Sequence, residues 1–493
     1  MEKYIMSESR NHFTGNKLPW NKNILGISFI RWLVKLPVFP YIFQFAALAF
    51  FILFIYYGWR QPIFEFNSAS ELLYRKLNIT TFVVWGLWWT SMIWIAFFIG
   101  RAWCQVCPLE LIMNLAERFG RKLGIPQKLL PKIFQNGILI VIGYLIVQFV
   151  VTTFHIHRMP HGAALFLISL GAIAFIFGFF FKYRSFCSFV CPVGILLNCY
   201  SRNAAFELRV IDEKVCNQCS TKDCRSLETY NKWNNRGCPS LLNPPKLNSN
   251  KDCLLCMQCV KACPHDNFRF GTRKFFKDII PGENITIAIP LFLVIISGFL
   301  TYELTLNKEI KELFLAAPHW IGHVFGVENP YWKGFLKGLW TLVVYPAIIW
   351  LSFAGLYKLF SQKQKFSFYF KTYAIAFIPL LVSAHLSKSL DKWNKWLKGI
   401  ALPFKDPDGV NSYQAIFVNQ TLAEPGKIVA MSTLRWLPLL LILIGATVSL
   451  VKIIQTNKYL AKSTIEVSVV SKTIPLLMAF LISGIFLFNV WMW

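Results

Sequence analysis

Twelve of the thirteen cysteines fall into short clusters with regular spacing. The polar segment between residues 201 and 277 contains Cys216-x2-Cys219-x4-Cys224, then Cys238-Pro239, and then Cys253-x2-Cys256-x2-Cys259-x3-Cys263-Pro264. A [4Fe–4S] cluster needs four thiolates, three of which can come from one short loop while the fourth comes from elsewhere in the chain. Because the last run has the spacing of such a loop, the segment predicts two [4Fe–4S] clusters.

The fourth ligand of each cluster is exchanged between motifs in two-cluster ferredoxins, and this rule predicts the ligand sets. The first set is Cys216, Cys219, Cys224 and Cys263, and the second set is Cys253, Cys256, Cys259 and Cys238. A zinc site would use paired spacings rather than a triplet, and a disulfide framework would need an oxidising compartment. The first run has four residues before Cys224 and a long insertion before Cys238, so it departs from the compact ferredoxin pattern.

Four further cysteines follow two hairpins of apolar segments. They lie in Arg101-x2-Cys104-x2-Cys107-Pro108 and in Arg184-x2-Cys187-x3-Cys191-Pro192, which form a short internal repeat. These thiols could hold a third Fe–S cluster, act as a reversible dithiol activated by the neighbouring arginines, or be structural. Cys199 follows on an apolar stretch and is expected to be a small buried side chain.

The composition predicts the elements that position these cysteines. Of the 493 residues, 55% are hydrophobic and 15% are charged, whereas soluble domains carry about 25% charged residues. Apolar blocks of about twenty residues, the length that crosses a bilayer, lie near 41–59, 79–100, 133–154, 162–181, 284–302, 335–357, 369–386, 435–454 and 473–493. We therefore expect a mainly α, polytopic helical membrane protein of about nine spans. It would comprise a membrane domain at 1–200, a two-cluster ferredoxin-like insert at 201–277 and a second membrane domain at 278–493.

The formal net charge of +27 is better explained by membrane orientation than by nucleic-acid binding. Basic residues retain loops on the cytoplasmic side, and no basic soluble module stands alone. Lys17, Lys22, Arg118 and Lys358 all fall on one side if the N-terminus is inside. The N-terminus and the ferredoxin-like insert are therefore predicted to be cytoplasmic.

The layout of residues 80–275 resembles the membrane-bound polyferredoxins of the NapH/NosR type, which accompany periplasmic nitrate and nitrous-oxide reductases. It is also similar to the related membrane ferredoxins of cytochrome oxidase assembly. That family has two C-x3-C-P motifs at helix ends, followed by a two-cluster ferredoxin insert. The resemblance implies an electron-transfer protein of the bacterial inner membrane. The first motif here is one residue shorter than the family form, and the chain after residue 284 resembles nothing that we recognise.

Three histidines are candidate ligands for a haem, copper or quinone. His319 and His323 are four residues apart and share one helix face, and His385 lies late in the seventh predicted span. An ionisable residue inside a membrane is a functional candidate by default. The alternative is that the first two are solvated and that His385 is a hydrogen-bonded residue of the helix bundle.

These features favour a membrane electron-transfer protein that works within a complex. The insert carries twice as many basic as acidic side chains, which suits an acidic donor such as a ferredoxin or flavodoxin. The acceptor would be the quinone pool or a redox protein at the outer face. Because the bilayer core is roughly 30 Å thick, a further electron carrier must lie between the clusters of the insert and an acceptor at the outer face. The alternatives are a copper reductase or assembly factor for another oxidoreductase, and a redox-sensing regulator.

Overall fold

The computed structural model describes residues 23–60, 68–361, 364–463 and 468–493. Lys17 and Lys22, which contribute to the predicted orientation, lie outside these ranges. Within them the chain is mainly helical, and the prediction of a helical membrane protein is confirmed.

Seven helices are long and apolar enough to cross a membrane, and two further apolar helices have 17 residues each. In chain order they are α1 (Tyr41–Trp59), α2 (Ile79–Phe98), α3 (Ile138–Phe154), α4 (Pro160–Phe180), α5 (Ala288–Leu304), α6 (Pro330–Phe360), α7 (Phe366–Gly399), α8 (Met431–Lys462) and α9 (Val469–Trp491). Each lies at a position where the sequence predicts a span. Because α3 and α5 are short for a full crossing, the number of nine spans remains a prediction.

Helix α7 is longer than its predicted span at 369–386, since it continues to Gly399. Its second half carries polar residues such as Ser387 and Asp391, which lower the local hydropathy and led to the early predicted end. These side chains are buried, and they have partners: the Ser387 hydroxyl donates to the Pro438 carbonyl oxygen of α8 over 3.3 Å, and Asp391 pairs with Lys388 of the same helix. His385 therefore lies well inside the helix and not late in it, as the shorter predicted span had placed it.

The two cysteine motifs of the internal repeat each lead into a short helix. After α2, the chain forms Trp103–Val106 and Pro108–Lys122; after α4, it forms Ser185–Phe189 and Pro192–Ser201. Helix Pro108–Lys122 packs along α4, and Gly178 permits the close approach. A Cβ atom at this glycine would lie 2.3 Å from the Met113 carbonyl oxygen. The two motifs are thereby held side by side.

The predicted insert begins and ends with two strands, β1 (Phe206–Val210) and β2 (Phe268–Thr272), which pair antiparallel with Phe206 opposite Thr272. Between them lie short helices at Glu213–Gln218 and Gln258–Lys261, joined by irregular loops. The small core under the strands contains Leu208 and Phe268, together with Cys253, Cys259 and residues of helix Ser28–Lys35. The division into three domains at residues 200 and 277 remains a prediction.

Candidate functional site

One cavity of about 120 Å³ is lined by all four cysteines that the sequence predicts for the first set. Helix Glu213–Gln218, which is capped by the Asp212 side chain, presents Cys216. The Asn267 side-chain amide at the edge of β2 donates to the Cys216 sulfur over 3.2 Å. Strand β2 thus fixes one ligand, and the loops on either side supply Cys219, Cys224 and Cys263. The arrangement fits a [4Fe–4S] cluster bound by these four thiols.

Cys219 lies at the exposed edge of this first set. The backbone N–H of Lys222 and the hydroxyl of Thr221 lower the pKa of its thiol to about 7. By contrast, burial raises the pKa of Cys224 to about 12. The first set therefore has one side open to solvent, where a soluble electron carrier can approach.

The second set is buried beneath the first. Leu255 and Met257 both adopt left-handed backbone conformations, with φ of 54° and 58°, which curl the loop between Cys253 and Cys259. Strained conformations of this kind cluster at functional sites. Burial raises the pKa of the Cys259 thiol, and the neighbouring thiols of Cys238, Cys256 and Cys253 raise it further. Cluster binding here must release protons from neutral thiols.

The two sets are in direct contact through the backbone. The Cys238 N–H, which belongs to the second set, donates to the Cys224 carbonyl oxygen of the first set over 2.9 Å. The pairing of ligands into two sets of four stays a prediction. Most neighbours that affect each thiol belong to its own set, but Cys224 of the first set also affects Cys259 of the second.

The four remaining clustered cysteines meet at a third place. Cys104, Cys107, Cys187 and Cys191 all line one small cavity of about 30 Å³ in the membrane domain, which we call the four-thiol site. In both motifs the second cysteine is the N-cap of a helix that begins with the following proline. Proline keeps the preceding residue extended and suits the first helical position. The backbone N–H groups of Val193 and Gly194 reach the Cys191 sulfur and would stabilise a negative charge on it, whereas its burial opposes that charge.

The four-thiol site lies within the membrane helices and not at their very ends. Leu170 lines the cavity, and it precedes the last residue of α4 by ten positions, or about 15 Å along the helix axis. An electron held here would already have covered part of the way across a bilayer core of roughly 30 Å.

Several N–H donors that line this cavity lack a partner. Trp88, Arg101 and Arg184 contribute to its wall. Buried nitrogen atoms of all three make no hydrogen bond within the described part of the chain: Trp88 Nε1, Arg101 Nε and Arg184 Nη2. Arg184 Nε also makes none, but it faces the Glu110 carboxylate at 3.5 Å. Unpartnered buried donors are costly. Their convergence on four thiols is what an anionic, thiolate-bound group would require, so the residues fit a [4Fe–4S] cluster here as well.

The two arginines of the repeat also connect the four-thiol site to the insert. Arg101 Nη1 donates to the Lys251 carbonyl oxygen over 3.1 Å, two residues before Cys253. Arg184 Nη1 donates to the Ser240 hydroxyl over 3.2 Å, two residues after Cys238. Each arginine thus touches the four-thiol cavity at one end and the loops of the second set at the other. The three thiol sets form one continuous series.

Glu110 is a buried charge that the sequence reasoning did not select. Its carboxylate accepts from Gln44 Nε2 over 2.8 Å, and lies 3.5 Å from Arg184 Nε and 3.6 Å from Arg236 Nη1. All three charged side chains are at most 5% exposed. One carboxylate therefore balances two guanidiniums, one from the second repeat and one from the insert. The only signal in the sequence is an acidic residue two positions after Pro108 of the Cys107-Pro108 pair.

We expect Glu110→Gln to destabilise the protein by about 3 to 5 kcal/mol, because two buried arginines would lose their counter-charge. Thermal unfolding of the purified protein in detergent measures the change. As a control, Glu228→Gln removes an exposed carboxylate of the insert and is expected to have little effect. Equal unfolding temperatures for the two variants would contradict the role assigned to Glu110.

The candidate histidines do not converge. His319 and His323 are exposed on helix Ala316–Val324, and His319 pairs with Glu312 over 3.5 Å. His385 is buried, and its Nδ1 lies 2.9 Å from the Tyr200 hydroxyl. Within the described ranges, no group of three or more His, Cys, Asp or Glu could hold a single metal ion. The thiols of a cubane bind four different irons and are further apart than the ligands of one ion. A haem, copper or quinone role for these histidines stays a prediction.

A family model described as a 4Fe-4S binding domain matches residues 81–126 and 164–210. These two segments are the two repeats, and each contains one pair of thiols of the four-thiol site. The chain is 27% identical over 192 residues to the ferredoxin-type protein NapH of Haemophilus influenzae, which covers 34% of this chain and 61% of that protein. The resemblance to membrane-bound polyferredoxins of the NapH type is confirmed.

Other relatives agree with this assignment. The NapH protein of Escherichia coli is 27% identical over 195 residues, covering 35% of this chain and 62% of that protein. An uncharacterized protein of Methanocaldococcus jannaschii is 29% identical over 180 residues, covering 36% and 67%. The chain thus spans less than two thirds of either NapH protein. No solved structure is significantly similar to the chain. A 4Fe-4S membrane protein with an iron–sulfur electron-transfer role is what these findings support.

Proposed function

We propose that the chain carries three [4Fe–4S] clusters in series and passes electrons between soluble carriers on the cytoplasmic side and an acceptor in or across the bacterial inner membrane. The first and second sets would each hold one cluster in the insert, and the four-thiol site would hold the third. When bound, each cluster would accept and release one electron. The observation that carries the proposal is the unbroken order of the three thiol sets, which begins at exposed Cys219 and ends among membrane helices.

The exposed first set is the entry point in this proposal. Lys222, Arg225 and Lys246 line its cavity, and the insert as a whole is basic. Opposite charges steer the encounter of redox partners and orient them. The donor would therefore be an acidic protein, such as a ferredoxin or flavodoxin, that docks around Cys219.

A third cluster explains the four-thiol site better than a dithiol or a structural role. A disulfide or four neutral thiols would carry no negative charge, and the N–H groups at Trp88 Nε1, Arg101 Nε and Arg184 Nη2 would still make no hydrogen bond. A thiolate-bound cluster is anionic and can accept hydrogen bonds at its sulfur atoms. The N-cap positions of Cys107 and Cys191 favour the same charge.

The acceptor would be a membrane quinone or a redox protein of a larger complex on the opposite side. The four-thiol site would shorten the distance that an electron must cover between the insert and this acceptor, because the site lies inside the helix bundle. A role in copper delivery has less support, since the described residues contain no group of three side chains suited to a single metal ion.

Electron entry can be tested with protein in liposomes under anaerobic conditions. Addition of a reduced acidic ferredoxin should bleach the cluster absorbance quickly. The rate should fall steeply as salt rises, because screening weakens steering. Subsequent addition of a short-chain quinone should restore the oxidised spectrum. Clusters that stay oxidised in the presence of the reduced ferredoxin would contradict the proposed donor side.

The proposed orientation predicts that the insert faces the cytoplasm. A reporter inserted between Asn234 and Asn235, both exposed, should give fluorescence with green fluorescent protein and no activity with alkaline phosphatase, which needs an oxidising compartment for its disulfides. The reverse pattern would overturn the proposed topology.

A further inference from the structure

Four basic side chains gather at the end of the helix bundle opposite the insert. Arg75 is on helix Ser68–Leu77, which leads into α2, whereas His157 and Arg158 are in the turn between α3 and α4. Lys392 is near the far end of α7. We call these four residues the distal basic cluster. The other ends of α2 and α4 lead into the cysteine motifs, so the cluster and the iron–sulfur sites are at opposite ends of the same helices.

The members of the cluster are close to one another. The Arg75 guanidinium and the Lys392 ammonium lie 5.6 Å and 5.1 Å from the centroid of the same Trp396 ring. Burial lowers the pKa of His157, and the charges of Lys392, Arg75 and Arg158 lower it further. Trp396 is itself buried against Phe82 and Gly86. Like charges are therefore concentrated where little water screens them.

Nearby carboxylates balance this charge only in part. Glu303 and Asp391 bond to Lys388 over 3.1 Å and 3.2 Å, and Asp391 also pairs with Lys395 over 2.6 Å. Arg158 pairs with Glu71 at 3.9 Å, and Glu303 acts on Arg75 and Lys392 from a greater distance. Among the residues that the structure describes, Arg75 and Lys392 have no ion pair and no hydrogen bond to a carboxylate. Within these residues, Arg158 is thus the one member of the distal basic cluster that has an ion pair.

Polar atoms of the cluster are also left without partners. Arg75 Nε, Arg158 Nε and His157 Nδ1 are buried and make no hydrogen bond within the described ranges. Gathering cations in a poorly hydrated site is unfavourable unless an anion joins them. Two guanidiniums and an ammonium are the groups that proteins use to bind phosphate and similar oxyanions.

We propose that the distal basic cluster binds a phosphate-type oxyanion, held by Arg75, Arg158 and Lys392 with His157 beside it. The anion could be free in solution or be the headgroup of an anionic phospholipid in the leaflet on that side, since both present the same oxygens. This site is independent of the proposed electron transfer, so loss of its ligand should leave the iron content unchanged.

The free-anion source can be tested with inorganic phosphate and the purified full-length protein in detergent. Phosphate should raise the unfolding temperature in a saturable manner, compared with chloride at equal ionic strength, because a ligand of the folded state stabilises it. Lys392→Gln and Arg75→Gln should each weaken the apparent affinity about tenfold or more. Lys398→Gln, an exposed residue of the same helix, should leave the affinity unchanged.

If the bound anion is the headgroup of a phospholipid, a different result is expected, which would also support the site. Wild-type protein would then retain anionic phospholipid through purification, as detected by native mass spectrometry, and free phosphate would add no stability. Lys392→Gln would retain less of this lipid, while Lys398→Gln would retain as much as wild type. Two results would overturn the proposal. The first is that phosphate gives no saturable stabilisation and that the variants also retain the same phospholipid as wild type. The second is that Lys392→Gln and Lys398→Gln respond alike to phosphate.

Discussion

Cys107→Ser and Cys191→Ser are each expected to abolish electron transfer from a reduced soluble donor to the membrane acceptor, while the two clusters of the insert still assemble. Both thiols line the four-thiol cavity and cap the helices that follow them. If the four cysteines hold one cluster, the loss of either ligand removes the whole unit. Residues that act as a unit have strongly non-additive effects, so the double variant should be no worse than either single one.

The measurement is quinone reduction in proteoliposomes, with cluster spectra recorded on the same samples. Cys199→Ala provides a matched control, because Cys199 is a buried cysteine on the same short helix but does not line the four-thiol cavity. It should retain transfer. Full activity in Cys107→Ser or Cys191→Ser would show that these cysteines are structural.

Cys256→Ser is expected to remove the middle cluster and so divide the series into two separate parts. Cys256 is a half-buried cysteine close to Cys238 and Cys253. Desolvation, with a smaller contribution from the charges of these two thiols, raises the pKa of the Cys256 thiol to about 12. The first set has its own four ligands and should remain reducible by the soluble donor. The four-thiol site should still assemble but should no longer be reduced, since its link to the insert passes through the loops of the second set.

Electron paramagnetic resonance under graded reduction separates these outcomes. The variant should show the signal of the first cluster alone when ferredoxin is the donor. A small reductant that reaches the membrane domain directly should restore the signal of the third cluster. An unchanged number of clusters in Cys256→Ser would disprove the ligand assignment, and unimpaired transfer would disprove the series.

The sequence was sufficient to predict most of the architecture, for identifiable physical reasons, whereas the grouping of the cysteines into ligand sets stays a prediction. Apolar blocks of bilayer length specify helices regardless of tertiary context, and all nine predicted positions hold apolar helices. Cysteine spacing is a local constraint, so the first set could be predicted before its shared cavity was seen. The repeat at Cys104 and Cys187 was visible as a pattern, although three roles remained open.

Features that depend on packing between distant segments could not be predicted. Glu110, Arg184 and Arg236 come from three separate parts of the chain, and only the fold brings them together. The extension of α7 past residue 386 was missed because its polar side chains find partners within the helix and on α5 and α8, which hydropathy does not register. The unpartnered N–H groups around the four thiols, and the distal basic cluster, likewise exist only in three dimensions.

The count of clusters tests the central claim most directly. We predict that anaerobically purified wild-type protein contains about twelve iron and about twelve sulfide per chain, as three [4Fe–4S] clusters require. Cys191→Ser should contain about eight of each, because only the four-thiol site loses its cluster. A wild-type content of about eight that is unchanged in Cys191→Ser would contradict a third cluster and with it the continuous path into the membrane.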